Sequence, residues 1–244
     1  MKEVLLTAFI LILYTGKSQN EFATHWFIDQ EVGLDWSAGN PEVQYAEGFY
    51  GWESNISYSD ANGDLLFAST SGDVFQSGWG YRNVYNAQGE VMPSGALGQS
   101  LGCYSSAGGG VVIPDFNDPD IYHIFTIDCV EMLFAGPEIY TGLSKSKIDM
   151  SLDGGLGDIV QIDSIIYADT LYPFLESYAV THDNTGLGYW IVAYNYLSYP
   201  DNNPIDSFSV YHFDESGISG PFKQAGGDGL YGHKIGRASC RERV

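Results

Sequence analysis

The chain has 244 residues, with 31 acidic and 10 basic side chains, a formal net charge of −21, and 44% hydrophobic and 15% aromatic residues. So large an apolar and aromatic share excludes a disordered polyanion. So negative a balance excludes recognition of phosphate backbones, which leaves DNA and RNA out as partners.

Met1-Lys2-Glu3 precedes an almost wholly apolar run over residues 4–14, followed by Thr15-Gly16-Lys17-Ser18-Gln19. A short charged start, an apolar run and a small polar exit predict a signal peptide over residues 1–19. The run is shorter than the roughly 20 residues a membrane span needs. The expectation is a mature chain without membrane insertion, secreted or held at the cell surface.

Residues 55–74 are the stretch around which the remaining chain is organised. Ile56 and Tyr58 lead into Asp60-Ala61-Asn62-Gly63, and Leu65-Leu66-Phe67 lead out. Asp60 can accept bonds from the next backbone N–H groups, and Asn62-Gly63 tolerate the positive φ of a hairpin turn. Three weaker copies recur at Asn86-Ala87-Gln88-Gly89, Asp183-Asn184-Thr185-Gly186 and Asp214-Glu215-Ser216-Gly217.

Strands are predicted at His25–Asp29, 51–59, Leu65–Thr70, 83–86, Gly110–Pro114, 122–128, Leu143–Asp149, 176–182, 189–195 and 207–213. No stretch keeps a helical period over ten residues. Short strands at a spacing of about 8–15 residues predict an all-β antiparallel fold: sandwich, barrel or propeller. Blades of ~40–50 residues fit a partial β-propeller-like domain of four-stranded blades over residues 20–234, with an incomplete ring. Three of the four arginines (Arg237, Arg241, Arg243) fall in the last eight residues. Residues 235–244 translate a string resembling a sequencing adapter, so they read as a tail fused to a truncated open reading frame and are set aside.

Several segments in order carry a family resemblance. They are Trp26-Phe27, Gly33-Leu34-Asp35-Trp36, Asp60-Ala61-Asn62-Gly63-Asp64-Leu65-Leu66-Phe67, Val91-Met92-Pro93-Ser94-Gly95, Ile113-Pro114, Pro119-Asp120-Ile121-Tyr122-His123-Ile124-Phe125-Thr126, Asp149-Met150-Ser151-Leu152 with Gly154-Gly155-Leu156-Gly157-Asp158, and Tyr189-Trp190-Ile191-Val192-Ala193. Together they resemble the N-terminal propeller-like region of large secreted proteins of Bacteroidota that end in gliding-motility-associated or type IX secretion sorting domains. The resemblance spans roughly residues 24–215. It implies a WD40- or quinoprotein-like blade and an extracellular address, and it implies no catalytic set. Tyr194 stands where many such proteins carry His.

The candidate sites follow from residue chemistry. Asp60, Asn62 and Asp64 begin like a Ca²⁺ loop, but Ser71 stands where the bidentate acid belongs, so a plain hairpin turn competes with the ion. Asp153-Gly154-Gly155-Leu156-Gly157-Asp158 lacks the lysine of a phosphate loop and reads as a wide turn. Cys103 and Cys129 allow either one disulfide or two buried thiols; the loop they would close is worth about 3 kcal/mol. His123, His182 and His212 sit in aromatic strands, where a histidine bonded to a backbone group is the ordinary case. His182-Asp183 has the composition of a base with its orienting acid, although neighbours on a strand face opposite ways. Trp26 and Trp190 are expected in the core. Trp52 and Trp79, beside glycine-rich turns, are the candidate ligand-stacking surface.

The preferred expectation is a secreted or surface binding module that contacts an extracellular polysaccharide or a surface protein, in adhesion or gliding-related display. Two others stand beside it: a polysaccharide hydrolase or lyase using an acid pair, and a structural spacer in a large surface protein.

Overall fold

The computed structural model describes residues 24–29, 31–45, 49, 54–70, 82–98, 106, 109–129, 132, 140–168, 174–198 and 203–225. The chain is all-β, in four antiparallel sheets that follow one another along the sequence. The first sheet comprises β1 (His25–Asp29), β2 (Val32–Asp35) and β3 (Glu42–Tyr45). The second comprises β4 (Ile56–Ser59), β5 (Leu65–Thr70), β6 (Arg82–Asn86) and β7 (Val91–Gly98). The third comprises β8 (Gly110–Pro114), β9 (Ile121–Ile127), β10 (Leu143–Asp149) and β11 (Asp158–Tyr167). The fourth comprises β12 (Phe174–His182), β13 (Tyr189–Ser198), β14 (Asn203–Asp214) and β15 (Gly217–Ala225). In each sheet spatial order is chain order, so every sheet is a meander built from one continuous segment.

The turns follow the predicted chemistry. Asp60 Oδ1 accepts the backbone N–H groups of Asn62 (2.8 Å) and Asp64 (2.9 Å), and Gly63 takes φ +89° between β4 and β5. Asn86 Oδ1 does the same for Gln88 and Glu90 between β6 and β7. Asp183 and Asp214 bind the N–H groups of Thr185 and Ser216 at the β12–β13 and β14–β15 hairpins. A side chain that copies a backbone turn bond fixes the bend and therefore the register of the strands it joins. The Asp153-to-Asp158 segment is a wide turn as expected, with Gly154, Gly155 and Gly157 all at positive φ.

Strands β2, β3, β7, β11 and β15 lie outside the predicted set, and β14 begins at Asn203, four residues before its predicted start. Most have a reason to be faint in sequence. The first two have only four residues. Both β7 and β15 carry two glycines and a proline at a sheet edge, where a missing N–H is tolerated.

Successive sheets pack face to face. The alternation of β9 makes the point: Tyr122 and Ile124 point to the second sheet, while Phe125 and Ile127 point to the fourth. Ile124 meets Phe67, Val84 and Met92 of the second sheet with Ile148 and Ile159 of its own. Phe125 and Ile127 meet Ile191, Ala193, Tyr211 and Phe213 of the fourth. A thinner layer of Phe27, Phe49, Ala68 and Tyr85 joins the first sheet to the second. Each fully buried side chain of this kind contributes roughly 1.5–3 kcal/mol over leaving it in water. Strand β9 is packed on both faces, which is why it reads as a nearly continuous hydrophobic run.

Candidate functional site

Turns from the third and fourth sheets converge on a pocket of about 530 Å³. The β8–β9 turn contributes Pro114, Asp115 and Phe116; the β12–β13 turn contributes Asp183, Thr185 and Leu187; Tyr189, His212, Asp214 and Glu215 complete it. The lining therefore combines aromatic and aliphatic surface with four carboxylates.

His212, on β14, is held between two of those carboxylates. Its Nε2 lies 3.1 Å from Asp183 Oδ2 and its Nδ1 3.3 Å from Asp214 Oδ2. A neutral imidazole donates to one of them at a time; the imidazolium donates to both. The ring also packs on Trp190, with centroids 4.5 Å apart. Gly188 makes the meeting possible, since a Cβ there would stand 2.8 Å from Asp183 Oδ2 and 2.9 Å from His212 Nε2.

Both acids are committed on their other oxygen. Asp183 Oδ1 accepts the Thr185 hydroxyl (2.7 Å) and N–H (2.9 Å), and Asp214 Oδ1 accepts the Ser216 hydroxyl (2.5 Å) and N–H (2.8 Å). The Thr185 hydroxyl holds the Asp183 carboxyl far below the usual carboxylate range; His212 and the Thr185 and Gly186 N–H groups add to this, against a smaller effect of burial. Asp214 is lowered by its Ser216 bonds in the same way.

On the third sheet a second pair has the same form. His123 donates through Nε2 to Asp115 Oδ2 at 2.8 Å. Burial pushes the His123 pKa down, the Asp115 bond opposing it and nearby Lys145 adding to it. Asp115 is pushed up by burial but lowered overall by the Asn117 N–H and by His123. These carboxylates accept bonds from the turns and histidines that hold them in place.

No family model, no curated protein and no solved structure matches the chain.

The sequence-derived candidates fall elsewhere. Trp52, Trp79 and Cys103 lie outside the described residues, as do the expected signal and tail. Cys129 is fully buried and disulfide-bonded. Asp60, Asn62 and Asp64 sit together on the exposed β4–β5 turn, where Asp60 Oδ2 also accepts the Asn62 side-chain amide at 3.2 Å. Burial pushes the Asp60 carboxyl up, but the N–H groups of Asp64 and Asn62 outweigh it and leave the pKa lowered. Among the described residues no group of three or more His, Cys, Asp or Glu is arranged around a metal position.

Other expectations need correcting. Trp26 is 49% exposed, because it lies on the outer side of β1 while Phe27 takes the core. Trp190 is half-buried on the outer side of β13, against His212. His182 packs on Tyr189 at 4.5 Å, and Asp183 finds its histidine 29 residues further on. His123 and His212 bond to turn carboxylates rather than to backbone groups.

Arg82 carries no signal in the sequence. It is 1% exposed at the start of β6, donating to the Ser54 hydroxyl, with Asp163 and Asp128 supplying opposite charge. Burial pulls its pKa down to about 10, the two carboxylates resisting, so the guanidinium remains charged at neutral pH. Only charge partners placed by sheet packing make such a burial tolerable.

Proposed function

We propose that this chain is a secreted or surface-displayed binding module whose consecutive sheets are blades of a β-propeller-like ring, and that it holds a neutral or amino-sugar polysaccharide at the turn pocket. The observation that carries this reading is the pocket itself. Its aspartates are spent on Asx turns and on histidine bonds, and Phe116, Leu187 and Tyr189 offer apolar surface beside them. A rigid, partly apolar concavity with fixed acceptors favours binding over turnover.

The charge narrows the ligand. A chain at −21 with Asp115, Asp183, Asp214 and Glu215 around the pocket repels polyuronates and sulfated glycans, and accepts neutral or cationic sugars. The propeller reading is supported by four consecutive meanders packed face to face. Export and the Bacteroidota resemblance rest on residues 1–19 and on the motif order, and they belong to the same proposal. Ca²⁺ at Asp60, Asn62 and Asp64 and a Cys103–Cys129 disulfide are its subsidiary parts.

The test is retention on immobilised β-glucan, chitosan and polygalacturonate. Binding to either of the first two with none to the third is expected, and Leu187→Ser, at a 75% exposed rim position, should weaken it about tenfold without affecting the fold. Equal binding to all three, or to none, would refute the pocket as a sugar site.

A further inference from the structure

One imidazole joins two turns at the rim of the pocket. His212 faces Asp183 of the β12–β13 turn through Nε2 and Asp214 of the β14–β15 turn through Nδ1, and all three residues line the cavity. The charged groups around the ring are few. Glu215 follows Asp214 on the same rim, and Asp115, already bonded to His123, faces them from the β8–β9 turn. Trp190 covers the ring from β13 and carries no charge. Lys145 lies over Phe213, on the opposite side of β14 from His212.

The protonation state of the ring decides how many of these bonds exist. As imidazolium, both nitrogens donate and both aspartates are satisfied; as imidazole, one nitrogen turns a lone pair toward a carboxylate oxygen. Two observations select the oxygen that loses its donor. The Asp183 contact is the shorter, 3.1 Å against 3.3 Å, and the Asp183 side chain is 10% exposed against 33% for Asp214. Leaving the more buried acceptor unmade costs more, so the neutral ring keeps its hydrogen on Nε2 for Asp183. Asp214 Oδ2 is then released. It stays in place at the pocket wall, because Ser216 still holds the other oxygen through its hydroxyl and N–H.

We propose that His212 is a pH-operated latch on the pocket. Charged, the ring occupies Asp214 Oδ2 and ties the two turns together; neutral, it yields that oxygen to a hydroxyl of the bound sugar. Histidine is the side chain that ordinarily changes charge between pH 5 and 8, so the latch opens within that interval. A hydroxyl bonded to a fixed carboxylate makes a charge-assisted bond, which strengthens retention as pH rises. The gating of binding rests on the reading of the pocket as a sugar site. The exchange of donors between ring and carboxylate does not, and it has its own readout.

Retention on β-glucan and on chitin, neutral polymers without a titrating group, tests it alongside NMR of the imidazole nitrogens and the Asp214 carboxyl carbon. Wild type should be held about fivefold more tightly at pH 8 than at pH 5, with the ring hydrogen on Nε2 at the higher pH. Asp214→Asn should stay at the weak level throughout. His212→Phe, which keeps a ring against Trp190, should stay at the strong level, and His123→Gln should keep the wild-type response. Equal retention of wild type at both ends, a ring that does not titrate across the interval, or a neutral ring with its hydrogen on Nδ1 would each overturn the latch. Retention on neither polymer at any pH would refute the sugar reading instead. The spectra then decide alone: an Asp214 carboxyl signal that moves with the His212 midpoint supports the latch, and one that stays fixed overturns it.

Discussion

Nε2 of His212 lies 3.1 Å from a carboxylate oxygen of Asp183, so one strand is tied to the turn between the two strands before it. The bond gives the fourth sheet a brace across three strands, in addition to its backbone ladder. His212→Ala should cost about 1–2 kcal/mol in urea unfolding, mostly through lost packing on Trp190 and the loss of partly exposed, solvent-screened bonds. Gly188→Ala should lower stability by a similar amount while leaving every hydrogen-bonding group in place, since its methyl would force the pair apart.

Arg82 is the harder test of packing. Replacing it with Met leaves Asp128 and Asp163 without their buried cation, and removing one partner of such a cluster typically costs about 3–5 kcal/mol. Guanidinium chloride unfolding of Arg82→Met should show this loss. Combining it with Asp163→Asn should recover part of it, because fewer uncompensated charges then remain.

Acid should destabilise the protein in two stages. The folded pKa of His123 lies below its ordinary 6.5, so the folded state binds fewer protons there. Its contribution is complete above pH 6.5 and falls away as pH drops through that value toward the folded pKa. Asp60, Asp115, Asp183 and Asp214 are also lowered, from 3.8, so their contribution persists above that value and is lost below it. Asp128, raised by burial, acts in the opposite sense as pH rises through its folded pKa. Thermal midpoints from pH 8 to 3 check this: His123→Gln should remove the first decline and leave the second.

Two glycines at positive φ separate backbone strain from crowding. Gly186 (φ +72°) has open space where a Cβ would stand, so Gly186→Ala should cost about 1–2 kcal/mol for the left-handed conformation alone. At Gly142 (φ +60°) the Cβ would fall 2.1 Å from the Tyr167 carbonyl, so alanine there must also displace β11. Urea midpoints should rank the Gly142 variant clearly below the Gly186 variant.

Cys129 is bonded, and peptide mapping without reduction should recover it joined to Cys103. Cys129→Ser should then lose about 3 kcal/mol, the loop-closure value for a link of that span.

What is legible in the sequence depends on the range of the interaction. Asx turns are local chemistry, so Asp60, Asn86, Asp183 and Asp214 announce their hairpins, and β1, β5, β8 and β10 take their predicted limits unchanged. Strand β11 is obscured by its bulge near Asp163, where φ is +42° and the register with β10 shifts. The His212 clamp is invisible for a different reason: its partners come from two turns, and adjacency in sequence points instead to His182. Composition misplaces Trp26 because it does not say which side of a strand faces the core; the neighbouring Phe27 decides that. Arg82 has no local signature at all, since its burial is created by the sheets on either side.

Because each meander is cut from a single stretch of chain, no strand waits for a distant partner before it can pair. Such a molecule can build its ribbons in the order in which they are synthesised, each finished layer offering an apolar bed to the next. Loss or duplication of one whole unit would shorten or lengthen the pile without breaking a single ladder elsewhere.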